Sequence, residues 1–74
     1  MADETLDCKG MVCPMPIVKT SKAAKVMDSG QTLEVVATDK AFHADIQAWC
    51  KQTGNALASY SEADGVATAV ITIK

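Results

Sequence analysis

The tetrapeptide Cys13-Pro14-Met15-Pro16 places a nucleophile directly before two closely spaced prolines. Proline breaks a helix interior, but the first turn tolerates it because the N–H groups there have no intrahelical partner. The spacing predicts that a helix begins here, with Cys13 as N-cap, Pro14 at the first helical position and Pro16 at the third. A helix N-terminus favours negative charge, and therefore thiolate over thiol. Since Ser, Thr, Asp and Asn are the ordinary caps, a cysteine here indicates reactivity rather than a small buried cap.

Hydrogen bonding at this helix start would tune the sulfur. Because the prolines carry no N–H, the Met15 N–H is expected to be the main donor to the Cys13 sulfur. A thiolate that is stabilised by the helix but lightly hydrogen-bonded keeps its nucleophilicity, which suits a sulfur that must both accept and release. Nearby positive potential is expected from Lys9, Lys19 and Lys22.

The other candidate ligands and nucleophiles are scattered. Cys8 is a candidate resolving thiol, although a small side chain at a strand end is the preferred interpretation. Cys50, beside Trp49 on a predicted helix, is expected to be packed, and His43 to face solvent on the first turn of that helix. A zinc site formed by Cys8, Cys13, Cys50 and His43 would lack any paired metal-ligand motif, so no metal is predicted.

Two further groups of residues allow two interpretations each. Met11 and Met15 flank Cys13, where they either adapt to several partners or pack as a hydrophobic staple at the helix start. Lys22 and Lys25 form either a solvated face or a docking patch for acidic partners.

Hydrophobic periodicity and turn residues divide the chain into six elements. A first helix, which would end at Gly30, has four residues at helical spacing: Ile17, Thr20, Ala24 and Met27. A second helix would be capped by Asp39 and ended by Gly54. Its apolar stripe consists of Phe42, Ile46, Trp49 and Thr53. The predicted elements are a weak strand at 5–7, a helix from 13 to about 29, a strand at 31–38, a helix at 39–54, and strands at 55–61 and 66–73 joined by a turn at 62–65.

The predicted order is β-α-β-α-β-β. A strand–helix–strand crossover is right-handed almost without exception, which places the first helix on one face of the sheet, and the second is expected to join it. The predicted fold is a two-layer α/β sandwich, with a four-stranded mixed sheet and two helices on one face. The other face would be open and moderately apolar, either as a docking surface or as ordinary exposed surface.

Composition narrows the possible functions of this chain. Its 74 residues, 49% of them hydrophobic, predict a single packed domain over 1–74, and the net charge of -2 argues against nucleic-acid binding. Three cysteines, an odd number, favour reduced thiols over a disulfide scaffold. The acidic start lacks the features of a signal peptide and no apolar run would span a bilayer. We therefore expect a cytoplasmic protein that binds neither membrane nor nucleic acid directly. We also expect a monomer, although composition does not determine the oligomeric state.

The stretch 6–16, L-D-C-K-G-M-V-C-P-M-P, closely resembles the L-D-x-x-G-x-x-C-P-x-P signature of TusA/SirA-like sulfur carriers. The resemblance extends over the whole chain. Residues 30–33 resemble the family's turn into its second strand, Asp39 and Asp45-Ile46 match its acidic positions, and Trp49-Cys50 is similar to its aromatic–Cys pair. Cys8 is a departure, since many members carry another residue there.

This resemblance implies a persulfide relay that needs no cofactor. Cys13 would accept sulfane sulfur from a cysteine desulfurase or rhodanese-like protein and pass it to a DsrE/TusD-like acceptor, for tRNA thiolation or sulfur oxidation. Such a sulfurtransferase-type carrier has no substrate pocket of its own, and whether it counts as an enzyme is left open. The alternative is a thiol redox-sensing module that uses Cys8 and Cys13. The predicted binding residues are Lys9, Met11, Pro14, Met15, Pro16, Lys19 and Lys22.

Overall fold

The computed structural model describes residues 3–12 and 14–74. Its element order is β-α-β-α-β-β, so the predicted order is confirmed. The elements are β1 (Glu4–Cys8), α1 (Met15–Lys25), β2 (Thr32–Ala37), α2 (Phe42–Thr53), β3 (Ala56–Ala63) and β4 (Val66–Thr72).

The four strands form one mixed sheet in the order β1-β2-β4-β3. β1 and β2 are parallel, with Leu6 opposite Val35, while β2–β4 and β3–β4 are antiparallel. The parallel pair is joined through α1, as a strand–helix–strand crossover requires. The carboxyl ends of β1 and β2 therefore meet at one edge of the sheet, next to the segments that lead into α1 and α2.

The β3–β4 hairpin turns through Asp64 and Gly65, whose φ angles are 53° and 78°. Two consecutive positive φ angles are the geometry of a type I′ turn, whose twist matches that of the flanking strands. The predicted hairpin is confirmed, and its loop has only these two residues because Ala63 still pairs with Val66.

One face of the sheet is buried beneath both helices. Alternate residues of β2 and β4 are buried, as the two-residue period of a strand requires, while those between them are only half-buried. From α2 this core receives Phe42, Ile46 and Trp49, and from α1 it receives Pro16 and Thr20. The predicted two-layer fold, with both helices on one face, is therefore confirmed.

The helices are shorter than their sequence patterns predict. α1 ends at Lys25, and Gly30 lies in the turn before β2, where its N–H donates to the Ile73 carbonyl at 2.8 Å. The N-cap of α2 is Ala41 rather than Asp39. Thr53 is exposed rather than part of the buried stripe, because it lies at the last residue of α2, where its hydroxyl bonds to the Trp49 carbonyl.

Candidate functional site

Cys13 lies outside the described residues. Its two neighbours along the chain, Val12 and Pro14, are both exposed, and 69% of the Val12 side chain is open to solvent. An exposed valine next to the motif leaves apolar surface that a partner protein can cover.

The loop that leads from β1 to the motif is held by hydrogen bonds from three consecutive N–H groups. Gly10 has a φ of +81°, in the left-handed region, and a Cβ added there would meet nothing within 4 Å. The motif glycine is thus required for its backbone conformation and not for space. The bonds run from Lys9 N–H to Asp7 Oδ1 at 3.0 Å, from Gly10 N–H to Thr38 Oγ1 at 3.0 Å and from Met11 N–H to Cys8 O at 3.1 Å.

Helix α1 begins one residue later than predicted. Pro14 is its N-cap, with φ -97° and ψ 14°, and the Pro14 carbonyl accepts the first helical bond from Val18 N–H at 3.0 Å. Met15 and Pro16 are consequently the first and second helical residues. The predicted positions of Cys13 at the N-cap, Pro14 at the first residue and Pro16 at the third are therefore wrong by one residue.

The Met15 N–H is not a free donor for the Cys13 sulfur, contrary to expectation. It donates to the Val12 carbonyl at 2.9 Å, in a tight turn that precedes the helix. Because Pro14 and Pro16 have no N–H, Ile17 supplies the remaining N–H among residues 14–17.

Pro16 is buried, whereas Pro14 is exposed. The Pro16 carbonyl accepts a 2.7 Å hydrogen bond from the buried Thr20 hydroxyl one turn later. This bond satisfies the only buried polar side chain of the core in the described part of the chain. The second proline of the motif thus anchors the start of α1 against the sheet.

An exposed stripe runs along α1 on the side away from the core. Met15 and Val18 are 43% and 36% exposed and lie one turn apart, followed by the exposed Lys19 and Lys22. Together with Val12 they form what we call the α1 stripe: apolar next to the motif and basic further along. Of the other predicted binding residues, Lys9 is exposed and Met11 is half-buried against the core.

A shallow apolar groove of about 240 Å³ lies between the start of α1 and α2. Pro14 and Ile17 of the α1 side line it together with four residues of α2: Asp45, Ala48, Trp49 and Gln52. The residue that follows Cys13 is therefore part of the groove wall.

Cys8 is the last residue of β1 and is completely buried, as the preferred prediction of a packed strand-end residue requires. Burial raises the pKa of its thiol; the nearby Lys19 ammonium acts in the opposite direction, and Asp7 adds to the rise. Cys8 is a free thiol, and burial keeps it in its less reactive protonated form. The role of Cys8 as a resolving thiol stays a prediction.

Cys50 is also a buried free thiol, and burial raises its pKa, in agreement with the prediction that it is packed. His43 does not simply face solvent. It is half-buried, and its ring stacks on Tyr60 with a centroid separation of 3.8 Å and an interplanar angle of 8°. The reason is that the first turn of α2 lies over β3, a contact that the sequence pattern of α2 alone does not reveal.

Residues 3–12 and 14–74 contain neither a grouped set of metal ligands nor a membrane-spanning helix. No three His, Cys, Asp or Glu side chains are grouped so that they could hold a metal ion. In the same residues no helix is long and apolar enough to cross a membrane.

The exposed valines were not predicted as part of the site. Val18 lies among lysines on the outer side of α1, and this apolar interruption of a polar face was a usable signal. The sequence pattern does not predict the exposure of Val12 or the groove beside Trp49, because both depend on how α1 and α2 pack together.

Comparison with known proteins agrees with the motif and the fold described above. A family model described as Sulfurtransferase TusA matches residues 4–73, nearly the whole chain. The chain belongs to the TusA family. A relative from Neisseria meningitidis serogroup A is 46% identical over 71 residues, and the match covers 96% of each protein. The sulfur carrier protein TusA of Allochromatium vinosum is 44% identical over 63 residues, which cover 85% of this chain and 83% of that protein.

The fold of this TusA-family chain also matches a solved structure. The crystal structure of the SirA-like protein from Desulfitobacterium hafniense aligns with a TM-score of 0.82 at 28% identity, covering 93% of this chain and 95% of that one. The predicted relationship to TusA/SirA-like proteins is confirmed, and the family supports a role as a sulfur carrier that meets donor and acceptor proteins.

Proposed function

We propose that this chain carries sulfane sulfur as a persulfide on Cys13. The observation that carries the proposal is the burial of the two other cysteines, Cys8 and Cys50, whose thiol pKa values are raised by that burial. Both are withdrawn from exchange with a partner protein. Cys13 is the cysteine of the C-P-x-P motif, directly before the N-cap of α1.

Loading is an exchange reaction that needs no external oxidant. The Cys13 thiolate attacks the outer sulfur of a donor persulfide, a new S–S bond forms on Cys13, and the S–S bond of the donor breaks. The donor leaves as a thiolate. Unloading reverses these roles, as an acceptor thiolate attacks the outer sulfur and Cys13 leaves as the thiolate. The positive end of α1 stabilises Cys13 in both its attacking and its leaving form.

The α1 stripe is the proposed docking surface for both partners. Its apolar part, Val12, Met15 and Val18, would be buried at the centre of the contact, with Lys19 and Lys22 at the rim. The partners are therefore expected to present an apolar patch beside acidic side chains. From the family resemblance, we expect the donor to be a cysteine desulfurase or a rhodanese-like protein and the acceptor to be DsrE/TusD-like. The transferred sulfur would then serve tRNA thiolation or sulfur oxidation.

The relay is tested by comparing two sources of sulfur. Lys19→Glu/Lys22→Glu should slow loading from a cysteine desulfurase by about tenfold at low salt, because reversed rim charges slow association. Loading from inorganic polysulfide should slow much less, since no protein docks in that reaction and only the local positive potential is lost. Lys51→Glu, at an exposed lysine in the last turn of α2, is the matched control. Equal slowing from both sources would contradict docking through the stripe.

The alternative of a redox-sensing module requires Cys8 to react with Cys13. Cys8 is completely buried at the end of β1, and this observation does not favour exchange with a second thiol. The redox hypothesis stays a prediction, and release of sulfur from a Cys8→Ala variant tests it.

A further inference from the structure

Thr38 lies directly beyond the end of β2, and its side chain bonds to the loop that precedes the motif. The parallel pairing of β1 with β2 ends at Cys8 and Ala37, so Thr38 is the first residue after the paired strands. Gly10 has left the extended conformation, with a φ of +81°, and its N–H donates to Thr38 Oγ1 at 3.0 Å. A side-chain oxygen therefore accepts a main-chain N–H at the point where strand pairing has ended.

The bond between Gly10 and Thr38 joins residues 28 positions apart in the sequence. The two other hydrogen bonds of the loop, made by the N–H groups of Lys9 and Met11, are local, because their acceptors lie at the end of β1. Met11 also packs against the core, but apolar contact is non-directional and does not orient the main chain. Of these contacts, the bond to Thr38 is the directional one that fastens the loop to a second strand.

The chain on each side of Cys13 is held by a hydrogen bond. On one side Thr38 holds Gly10, and on the other the Val12 carbonyl accepts the Met15 N–H at the start of α1. Without the bond to Thr38 the loop would gain conformational freedom. The stabilising effect of a helix N-terminus on an anion falls off within one turn, so a loop with more freedom would stabilise a thiolate less.

We propose that Thr38 is a positioning residue for Cys13, and that its hydroxyl holds the loop so that the sulfur stays at the N-terminus of α1. Threonine suits this role because its β-branched side chain is restricted at χ1 and presents the oxygen in a set direction. The consequence for sulfur transfer rests on the proposed function, in which Cys13 is the carrier.

Thr38→Val and Thr38→Ser separate the hydroxyl from the bulk of the side chain. Valine keeps the shape and removes the acceptor, whereas serine keeps the acceptor. Because Thr38 is exposed, water can bond to the Gly10 N–H in Thr38→Val, so both variants should unfold in urea close to wild type. Thr38→Ala removes the same oxygen with a smaller side chain and should behave like Thr38→Val.

The readout is the pH dependence of Cys13 alkylation by iodoacetamide, assigned to Cys13 by peptide mapping. Thr38→Val should shift the profile to higher pH and slow alkylation on its acidic side by about fivefold, the effect of one lost hydrogen bond. Thr38→Ser should restore the rate to within about twofold of wild type, the remaining loss reflecting its freer χ1.

Thr32→Val is the matched control variant. Thr32 is the first residue of β2, and its hydroxyl oxygen accepts the Asp3 N–H at 3.1 Å, a bond between residues 29 positions apart. The substitution thus removes a similar link between the β1 and β2 segments at the end of the sheet opposite the motif. Its alkylation profile should match that of wild type.

The proposal is overturned by a wild-type profile in Thr38→Val, by a Thr38→Ser protein as slow as Thr38→Val, or by an equal change in Thr32→Val. Loading of the same samples with inorganic polysulfide reports on the proposed function separately. Alkylation measures only the thiol, so a shifted profile in Thr38→Val together with no persulfide on wild-type Cys13 overturns the proposed function and supports the positioning role.

Discussion

The main-chain N–H of Met15 donates a 2.9 Å hydrogen bond to the carbonyl of Val12, so the two residues that bracket Cys13-Pro14 are tied together. This bond occupies the Met15 N–H, which the sequence pattern predicts as the main donor to the Cys13 sulfur. With Pro14 and Pro16 lacking an N–H, the start of α1 presents unusually few main-chain donors. The proposed stabilisation of a Cys13 thiolate therefore relies on the helix dipole rather than on main-chain hydrogen bonds.

Pro16→Ala tests whether the scarcity of donors matters. Alanine adds an N–H at the second helical position, which should raise the thiolate fraction of Cys13 at a given pH and lower its reactivity per thiolate. Because Pro16 is buried, the free energy of unfolding should also fall by roughly 1–2 kcal/mol, more than its first-turn position alone suggests. Thiolate absorbance against pH measures the first effect and urea unfolding the second. An unchanged titration with lowered stability would mean that Pro16 only packs.

Gly10→Ala tests the loop before the motif. Its φ of +81° should cost an alanine about 1–2 kcal/mol in the folded state. Since the loop holds the approach to Cys13, polysulfide loading should also slow. Gly30→Ala is the matched control, with a φ of +89° and equally open surroundings far from the motif. Both variants should lose similar stability in urea, and a loading defect shared by Gly30→Ala would show that lost stability alone explains it.

Cys8→Ala and Cys50→Ala should each keep the ability to load sulfur, because both thiols are buried. Each should lose about 1 kcal/mol of stability through the cavity that the missing sulfur leaves. Intact mass after polysulfide treatment measures loading. A Cys8→Ala protein that loads normally but fails to release sulfur to an acceptor thiol would identify Cys8 as a resolving thiol, and the redox hypothesis would gain support.

Tyr60 is the single tyrosine, so its ionisation can be followed by phenolate absorbance. Burial, and then the hydrogen bond to Glu62 and the charge of Glu62, raise its pKa to about 12. A folded-state pKa above the unfolded value stabilises the protein below the unfolded pKa of about 10, and this stabilisation is lost as pH rises from there to about 12. Glu62→Gln should lower the phenol pKa, whereas Asp64→Asn should not. An ordinary tyrosine titration in wild-type protein would contradict the Tyr60–Glu62 contact.

The element order and the buried face followed from local patterns. The alternation in β2, the stripe of Phe42, Ile46 and Trp49, and the Asp64-Gly65 turn each specify their own structure within a few residues. The helix starts did not follow. The sequence predicts Pro14 as the first residue of α1 and Asp39 as the N-cap of α2. In the structure a turn precedes each helix, so α1 begins at Met15 and α2 at Phe42.

The parts of the site that depend on packing between distant segments could not be predicted. The His43–Tyr60 stack joins α2 to β3, and a concavity of about 360 Å³ is lined jointly by residues 37–40 and by Glu62, Gly65 and Ala67 of the hairpin. Neither feature leaves a trace in local spacing. The reactive motif was predictable for the opposite reason, because Cys13, Pro14 and Pro16 are neighbours in sequence.

The central claim is that Cys13 holds the transferred sulfur. Wild-type protein incubated with a cysteine desulfurase and L-cysteine should gain the mass of one sulfur atom, and peptide mapping should place it on Cys13. Cys13→Ser should gain none while it unfolds in urea like wild type, because serine is nearly isosteric with cysteine. Persulfide formation at Cys8 or Cys50, or loading that persists in folded Cys13→Ser, would contradict the account.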